Sequence, residues 1–139
     1  MVATIEVELI SPARVIDRVE AASVTLPSTL GYLTILPGHA PLISDIGVGI
    51  LTVRHDTRRT TEYFVSGGYL EADNHRLKIL AEVVESPQEI DRERAKKARE
   101  RALARVKDFG SDVARAQASL ERADTRIALV ATHEPADHR

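Results

Sequence analysis

The sequence has no cysteine, no tryptophan and one methionine, and its only aromatic residues are Tyr32, Tyr63, Phe64, Tyr69 and Phe109. Without cysteine there is no disulfide framework, cysteine-bearing zinc site or thiol nucleophile, and the chain suits a reducing compartment. No stretch approaches the roughly 20 apolar residues of a membrane span, and nothing near Met1 joins a basic start to an apolar run. A soluble, intracellular protein is therefore expected. With 139 residues, of which 43% are hydrophobic, the chain allows one ordinary domain or a small domain with an appendage. Its core must be aliphatic. The 19 Lys and Arg against 21 Asp and Glu leave a formal charge of −2, which points to neither a nucleic-acid nor a membrane-surface protein at the level of the whole chain.

The helix breakers are unevenly spread. Five of the six Pro and six of the seven Gly lie at or before Pro87, leaving Gly110 and Pro135 beyond it. Charge divides at the same place: residues 1–87 carry 7 basic and 11 acidic side chains, and residues 88–139 carry 12 and 10. Two units are expected, 1–87 and 88–139.

The first unit reads as short strands between turn signals. Thr4 to Ile10 alternates Ile5, Val7 and Leu9 against polar residues, the period of a half-buried strand. Val24-Thr25-Leu26 is expected to stop at Pro27, and Leu33 to Leu36 at Pro37-Gly38, because proline removes a ladder donor. Ile50 to Arg54 and Glu62 to Val65 flank a hairpin loop at His55 to Arg59. Tyr69 to Ala72 and Arg76 to Ala81 flank Asp73-Asn74-His75, where Asn and Asp tolerate a left-handed backbone. An antiparallel sandwich or barrel follows. In the second unit Ala95, Ala98, Ala102, Val106 and Phe109 recur about once per helical turn, and Val113, Ala116, Leu120, Ala123, Ile127 and Val130 form a second helical seam. Gly110-Ser111-Asp112 between them supplies a helix end and a cap. An antiparallel helical hairpin with a small-residue, weakly stabilised seam is the simplest reading.

Enzyme readings fail on the residues. There is no Gly-x-x-x-x-Gly-Lys-Ser/Thr loop, Gly47-Val48-Gly49 lacks the rest of a dinucleotide fingerprint, and Ser66-Gly67 is not a nucleophile elbow. His39, His55, His75, His133 and His138 are scattered without metal-ligand spacing, so no metal site is expected. The densest feature is basic: residues 92–107 hold Arg92, Arg94, Lys96, Lys97, Arg99, Arg101, Arg105 and Lys107 against Glu93 and Glu100 alone. Such a helix is either a solvated face that opposes aggregation or an electrostatic arm for an acidic surface. Nucleic acid is the alternative anion, although no aromatic is interleaved for base stacking. A small β-barrel metalloenzyme is a further rival class.

Leu36-Pro37-Gly38-His39-Ala40-Pro41-Leu42, followed by Val65-Ser66-Gly67-Gly68-Tyr69-Leu70-Glu71, resembles the epsilon subunit family of bacterial F-type ATP synthases, whose mitochondrial equivalent is called delta. Ile90-Asp91-Arg92-Glu93-Arg94-Ala95 is similar to that family's nucleotide-contact motif, and Arg122-Ala123-Asp124-Thr125-Arg126-Ile127 to the arginine pair of its last helix. The resemblance covers nearly the whole chain. It implies an α+β fold: an N-terminal antiparallel β-sandwich of about ten strands, then a C-terminal antiparallel two-helix hairpin. It further implies a non-catalytic rotor subunit of the central stalk, peripheral to the cytoplasmic face of the bacterial inner membrane. The sandwich would bind the gamma subunit and the c-ring, and the hairpin would be regulatory, inhibiting ATP hydrolysis when it docks on the beta and alpha subunits of the catalytic head.

By this resemblance His39 is either a hydrogen-bonding turn residue or a gamma contact. The family's acidic, Gly-rich ring loop is replaced here by Ser28 to Thr34, so that Leu30, Tyr32 or Leu33 would contact the ring by apolar packing. Arg92, Lys96, Lys97, Arg99, Arg105 and Lys107 would form the inhibitory helix face. No cofactor is required, but ATP is a candidate regulator. Arg94 and Arg101 share one helix face, as do Arg122 and Arg126, and a folded hairpin would converge all four on a triphosphate. Asp91 would accept from adenine or ribose, with Ile90 and Ala95 in apolar contact. The other reading leaves Asp91 at the helix dipole and the arginines in solvent.

Overall fold

The computed structural model describes residues 3–107 and 112–133. The chain divides into two compact units, Met1–Val84 and Glu85–Arg139. The first holds β1 (Ile5–Ile10), β2 (Val15–Ala21), β3 (Ser23–Ser28), β4 (Gly31–Ile35), β5 (Leu42–Asp45), β6 (Val48–Arg54), β7 (Thr60–Ala72) and β8 (Arg76–Glu85), the last ending at the first residue of the second unit. That second unit contains a 3-10 turn at Pro87–Glu89, α1 (Arg92–Val106) and α2 (Val113–His133). The fold is thus a β-sandwich followed by a helical hairpin.

Eight strands are described where about ten were expected, in the order β2-β1-β8-β7-β6-β3-β4 with β5 on β7. β1–β2, β3–β4, β3–β6, β5–β7 and β6–β7 pair antiparallel, whereas β1 runs parallel to β8, with Val7 opposite Leu77 and Leu9 opposite Ile79. A parallel pair needs a long crossover, and the strands between β1 and β8 supply it. Ile5, Val7 and Leu9 are buried as their alternation requires. They meet Leu26, Leu51, Leu70 and Ile79 in one largely aliphatic core that includes Tyr63, and Phe64 is fully buried as well.

The long strand β7 carries the second motif through its middle. Gly67 and Gly68 have φ of 76° and 105°, so one strand bends there, pairing with β6 over Thr60–Ser66 and with β5 over Tyr69–Ala72. A Cβ on Gly68 would overlap the Leu80 carbonyl oxygen. Two separate strands had been expected, since glycine usually weakens a strand interior. β2 was not expected; it is an edge strand bearing Asp17, Arg18 and Glu20, and its charges blur the alternation while blunting the edge.

Proline 27 corrects a second expectation. β3 continues through it to Ser28, and Pro27 faces Tyr32 on β4. That pair lies one step from the Ser28–Gly31 hairpin closure, where hydrogen-bonded and non-bonded pairs alternate. The missing donor therefore points toward β6, whose pairing with β3 has ended at Thr25. The Asp73-Asn74-His75 loop likewise differs from expectation, because among the described residues no non-glycine adopts positive φ. Instead the Asp73 carboxylate accepts the His75 and Arg76 N–H groups at 2.8 Å each, and these two bonds hold it below the ordinary carboxylate range.

In the hairpin, Ala95 and Ala102 of α1 and Ala116 and Ala123 of α2 are buried, each pair seven residues apart. Seven residues are close to two turns, so each helix shows the other a stripe of methyl groups. Asp112 caps α2 by accepting the Arg115 N–H at 3.1 Å. Gly110, Ser111 and Phe109 lie outside the described residues. Two seam positions differ from expectation: Val113 is exposed, at the first turn of α2, while Leu129 is fully buried. Ala98, Val106, Leu120, Ile127 and Val130 are half-buried.

Candidate functional site

The second unit begins with two carboxylate devices that set its geometry. Glu89 accepts from the Ser86 N–H at 3.1 Å and the Ser86 hydroxyl at 2.8 Å, closing the 3-10 turn. Asp91 then caps α1, its Oδ1 accepting the Arg94 N–H at 3.1 Å. One Asp91 oxygen is thereby committed to the helix start. Ile90 between them is buried.

This start of α1 opens on a cleft of about 330 Å³ lined by Glu85, Glu89, Ile90, Asp91, Arg94, Ala95, Ala98, Arg101 and Arg126. Its size is at the lower end of small-ligand sites. Arg94 and Arg101, seven apart on α1, reach it together, and α2 contributes Arg126. Arg126 is not idle there: its Nε donates to Glu85 Oε1 at 2.7 Å, with both side chains largely covered. Six of the seven residues expected at a nucleotide site thus share one cleft. Arg122 does not line it; its guanidinium donates to the Ser119 hydroxyl at 3.1 Å.

Glu85 and Glu89 were not foreseen in this cleft. Glu85 lies 41 residues from Arg126 in sequence, and no local period connects them; only the run of carboxylates at 85, 89 and 91 could have hinted at acidic lining. The cleft therefore faces three guanidinium groups with three carboxylates. A polyanion entering it gains charge-assisted bonds from the arginines and must also compete with Glu85 for Arg126.

The remaining cations of α1 do not form one face. At 100° per residue, Arg92, Lys96, Arg99 and Lys107 lie on one side, whereas Lys97 and Arg105 share the opposite side with Arg94 and Arg101. The buried alanines run between. Lys96 pairs with Glu93 at 3.7 Å and Arg99 with Asp124 of α2 at 2.7 Å. The Arg99 pair crosses the hairpin, and both of its members are about half exposed.

In the sandwich, the first motif forms a tight turn. The His39 N–H donates to the Leu36 carbonyl at 3.1 Å, with Pro37 and Gly38 at its centre and Gly38 at φ 82°. Proline then glycine at positive φ is the pattern of a type II turn. The His39 ring Nδ1 donates to the Ala40 carbonyl at 2.6 Å. Of the expected ring contacts, Leu30 is 99% exposed at the β3–β4 turn and Tyr32 is 58% exposed. Leu33 instead packs against the core from the other face of β4. Tyr32 is also anchored, since the Ile50 N–H donates to its hydroxyl at 3.0 Å and its hydroxyl occupies space that a Cβ on Gly49 would need.

No helix among the described residues is long and apolar enough to cross a membrane, and no group of His, Asp or Glu among them could hold a metal ion. Against known families, residues 4–87 match the beta-sandwich domain of the ATP synthase delta/epsilon chain. Residues 88–131 match the long alpha-helix domain of the same chain. Among curated proteins, the ATP synthase epsilon chain of Moorella thermoacetica is 46% identical over 127 residues, spanning 90% of this chain and 95% of that one. The epsilon chain of Solibacter usitatus is 40% identical over 129 residues, at 90% and 94% coverage. Among solved structures, a chain of the Euglena gracilis mitochondrial ATP synthase, from a cryo-EM structure of OSCP, F1 and c-ring, superposes with a TM-score of 0.80 at 24% identity. That alignment covers 94% of this chain and 82% of the other.

Proposed function

This chain belongs to the ATP synthase delta/epsilon family, and from that membership we propose that it is a non-catalytic central-stalk subunit that couples rotation of the membrane ring to the catalytic head. The observation that carries the reading is the match of both halves, in order, to the two domains of one family. Its association with the membrane is then peripheral, through the complex, at the cytoplasmic face. The sandwich takes the fixed role, with Leu30 and Tyr32 toward the ring and the His39 turn toward the gamma subunit. A nucleic-acid module is not favoured, since the matches extend over the basic helix itself.

The hairpin takes the regulatory role. Its tightest positions are alanines, its larger seam residues other than Leu129 are only half-buried, and the described ion pair across it is half exposed, which is weak attachment for two helices of 15 and 21 residues. Separated and extended, the helices would lay the cations of α1 on the beta and alpha subunits of the head and suppress ATP hydrolysis. Closed, they gather Arg94, Arg101 and Arg126 at the cleft, where ATP would bind and favour the closed form by its difference in affinity for the two states. The test is removal of residues 88–139 from the assembled synthase. Assembly and proton coupling should persist while ATP hydrolysis rises; loss of assembly would overturn the division of roles.

A further inference from the structure

We propose that Asp45 is a positioning residue, bracing the β3–β4 turn so that Leu30 is held out as a fixed apolar tip for the membrane ring. The proposal rests on the reading of that tip as the ring contact. Leu30 lies in a two-residue turn closed by the Ser28–Gly31 pair. Within the turn, the Ser28 hydroxyl donates to the Gly31 carbonyl at 2.7 Å and accepts the Leu30 N–H at 3.2 Å. Those bonds shape the turn but do not orient it against the rest of the sandwich.

That orientation comes from 16 residues further along the chain. The Thr29 hydroxyl donates to Asp45 Oδ2 at 2.6 Å, and the Thr29 N–H to Oδ1 at 3.4 Å. Asp45 ends β5, which is itself paired to β7, so its carboxylate links the tip to the body of the sheet. The next residues reinforce the link. The Gly47 N–H donates to the Pro27 carbonyl at 3.0 Å, and a Cβ on Gly47 would come within 3.0 Å of the Ser28 carbonyl oxygen. The Thr29 hydroxyl also holds the Asp45 carboxyl below its ordinary range, so the charge-assisted bond is present at neutral pH.

A braced turn enters an interface already ordered, and an unbraced one pays for ordering on binding. Because the residues at the tip itself are apolar or uncharged, Asp45 acts through Leu30. The test compares the affinity of the full chain, bound to gamma, for membranes carrying the ring. Leu30→Ser should weaken binding, and Asp45→Ala and Thr29→Val should each weaken it by roughly threefold to tenfold. Thr29→Ser, which keeps the hydroxyl, should stay within about twofold. Asp45→Ala added to Leu30→Ser should cost little more, since the brace has lost what it presents.

If Leu30→Ser weakens binding but Asp45→Ala and Thr29→Val do not, the brace is refuted and the ring contact stands. Full additivity in the double variant would refute action through Leu30. No effect from Leu30→Ser would remove the ring contact and the brace with it. Should Asp45→Ala fail to fold, Thr29→Val and Thr29→Ser carry the comparison.

Discussion

Replacing Ala102 by leucine tests whether the hairpin is held by its methyl seam. Ala102 is 1% exposed, and Ala95, Ala116 and Ala123 are similarly covered. At about 0.8 kcal/mol per buried carbon, the four methyl groups supply on the order of 3 kcal/mol. The half-exposed Arg99–Asp124 pair adds at most about 1 kcal/mol. Three extra carbons at a filled position cost about 1–3 kcal/mol, comparable to what those four methyl groups supply, with the half-buried Val106, Leu120, Ile127 and Val130 adding apolar contact beside them. At about 1.4 kcal/mol per tenfold, the closed hairpin should lose roughly fivefold to 150-fold in population relative to the open one. Amide hydrogen exchange of α1 and α2 in the isolated chain reads this directly. Ala104→Leu, at an exposed position of the same helix, is the control and should leave protection unchanged. Wild-type protection in Ala102→Leu would refute the seam as the element that holds the hairpin shut. In the assembled synthase the same variant should hydrolyse ATP more slowly, because the open arm is favoured.

Three further outcomes are expected. Gly68→Ala combines a backbone at φ 105° with overlap of the Leu80 carbonyl, so it should cost more than about 3 kcal/mol and show as a large drop in the unfolding midpoint of the sandwich. Asp73 has its folded pKa lowered below 3.8 by the His75 and Arg76 N–H bonds. Its stabilisation is therefore present above that value and lost as pH falls through the lower folded one. The urea midpoint of wild type should thus fall more than that of Asp73→Ala between about pH 6 and about pH 2.5. In calorimetry at millimolar ATP, Arg101→Ala should weaken binding by about tenfold or more, whereas Arg122→Ala, outside the cleft lining, should change it much less; equal losses would place the phosphates elsewhere.

The helical half was the more legible in sequence. Ala95, Ala98, Ala102 and Val106 announce their face because a helix repeats every 3.6 residues whatever lies beyond it. Val113 misled, because its spacing is right but it begins the helix, where the hairpin leaves it open to solvent. Leu129 has no place in the 3-4 series, and its burial depends on what the end of α2 meets. In the sheet, β1 and β8 followed from alternation, whereas β2 and β5 were missed because charged or short edge segments carry little period. The candidate cleft was read from its motifs on α1 and α2, Asp91 and Arg126 included, but Glu85 and Glu89 in its lining were not.

Sequence alone determined the change of architecture near Pro87, the aliphatic core, the small-residue seams and the cationic density of α1. Each of these follows from composition or from a repeat a few residues long. Only the tertiary structure decided that β1 lies parallel to β8, that Pro27 stays within its strand, that Glu85 holds Arg126 and that Asp45 holds Thr29. Apart from the Pro27–Tyr32 pair across the hairpin, those contacts join residues between 16 and about 70 positions apart, where no local periodicity connects one partner to the other and the register of the whole sheet or hairpin selects the pair.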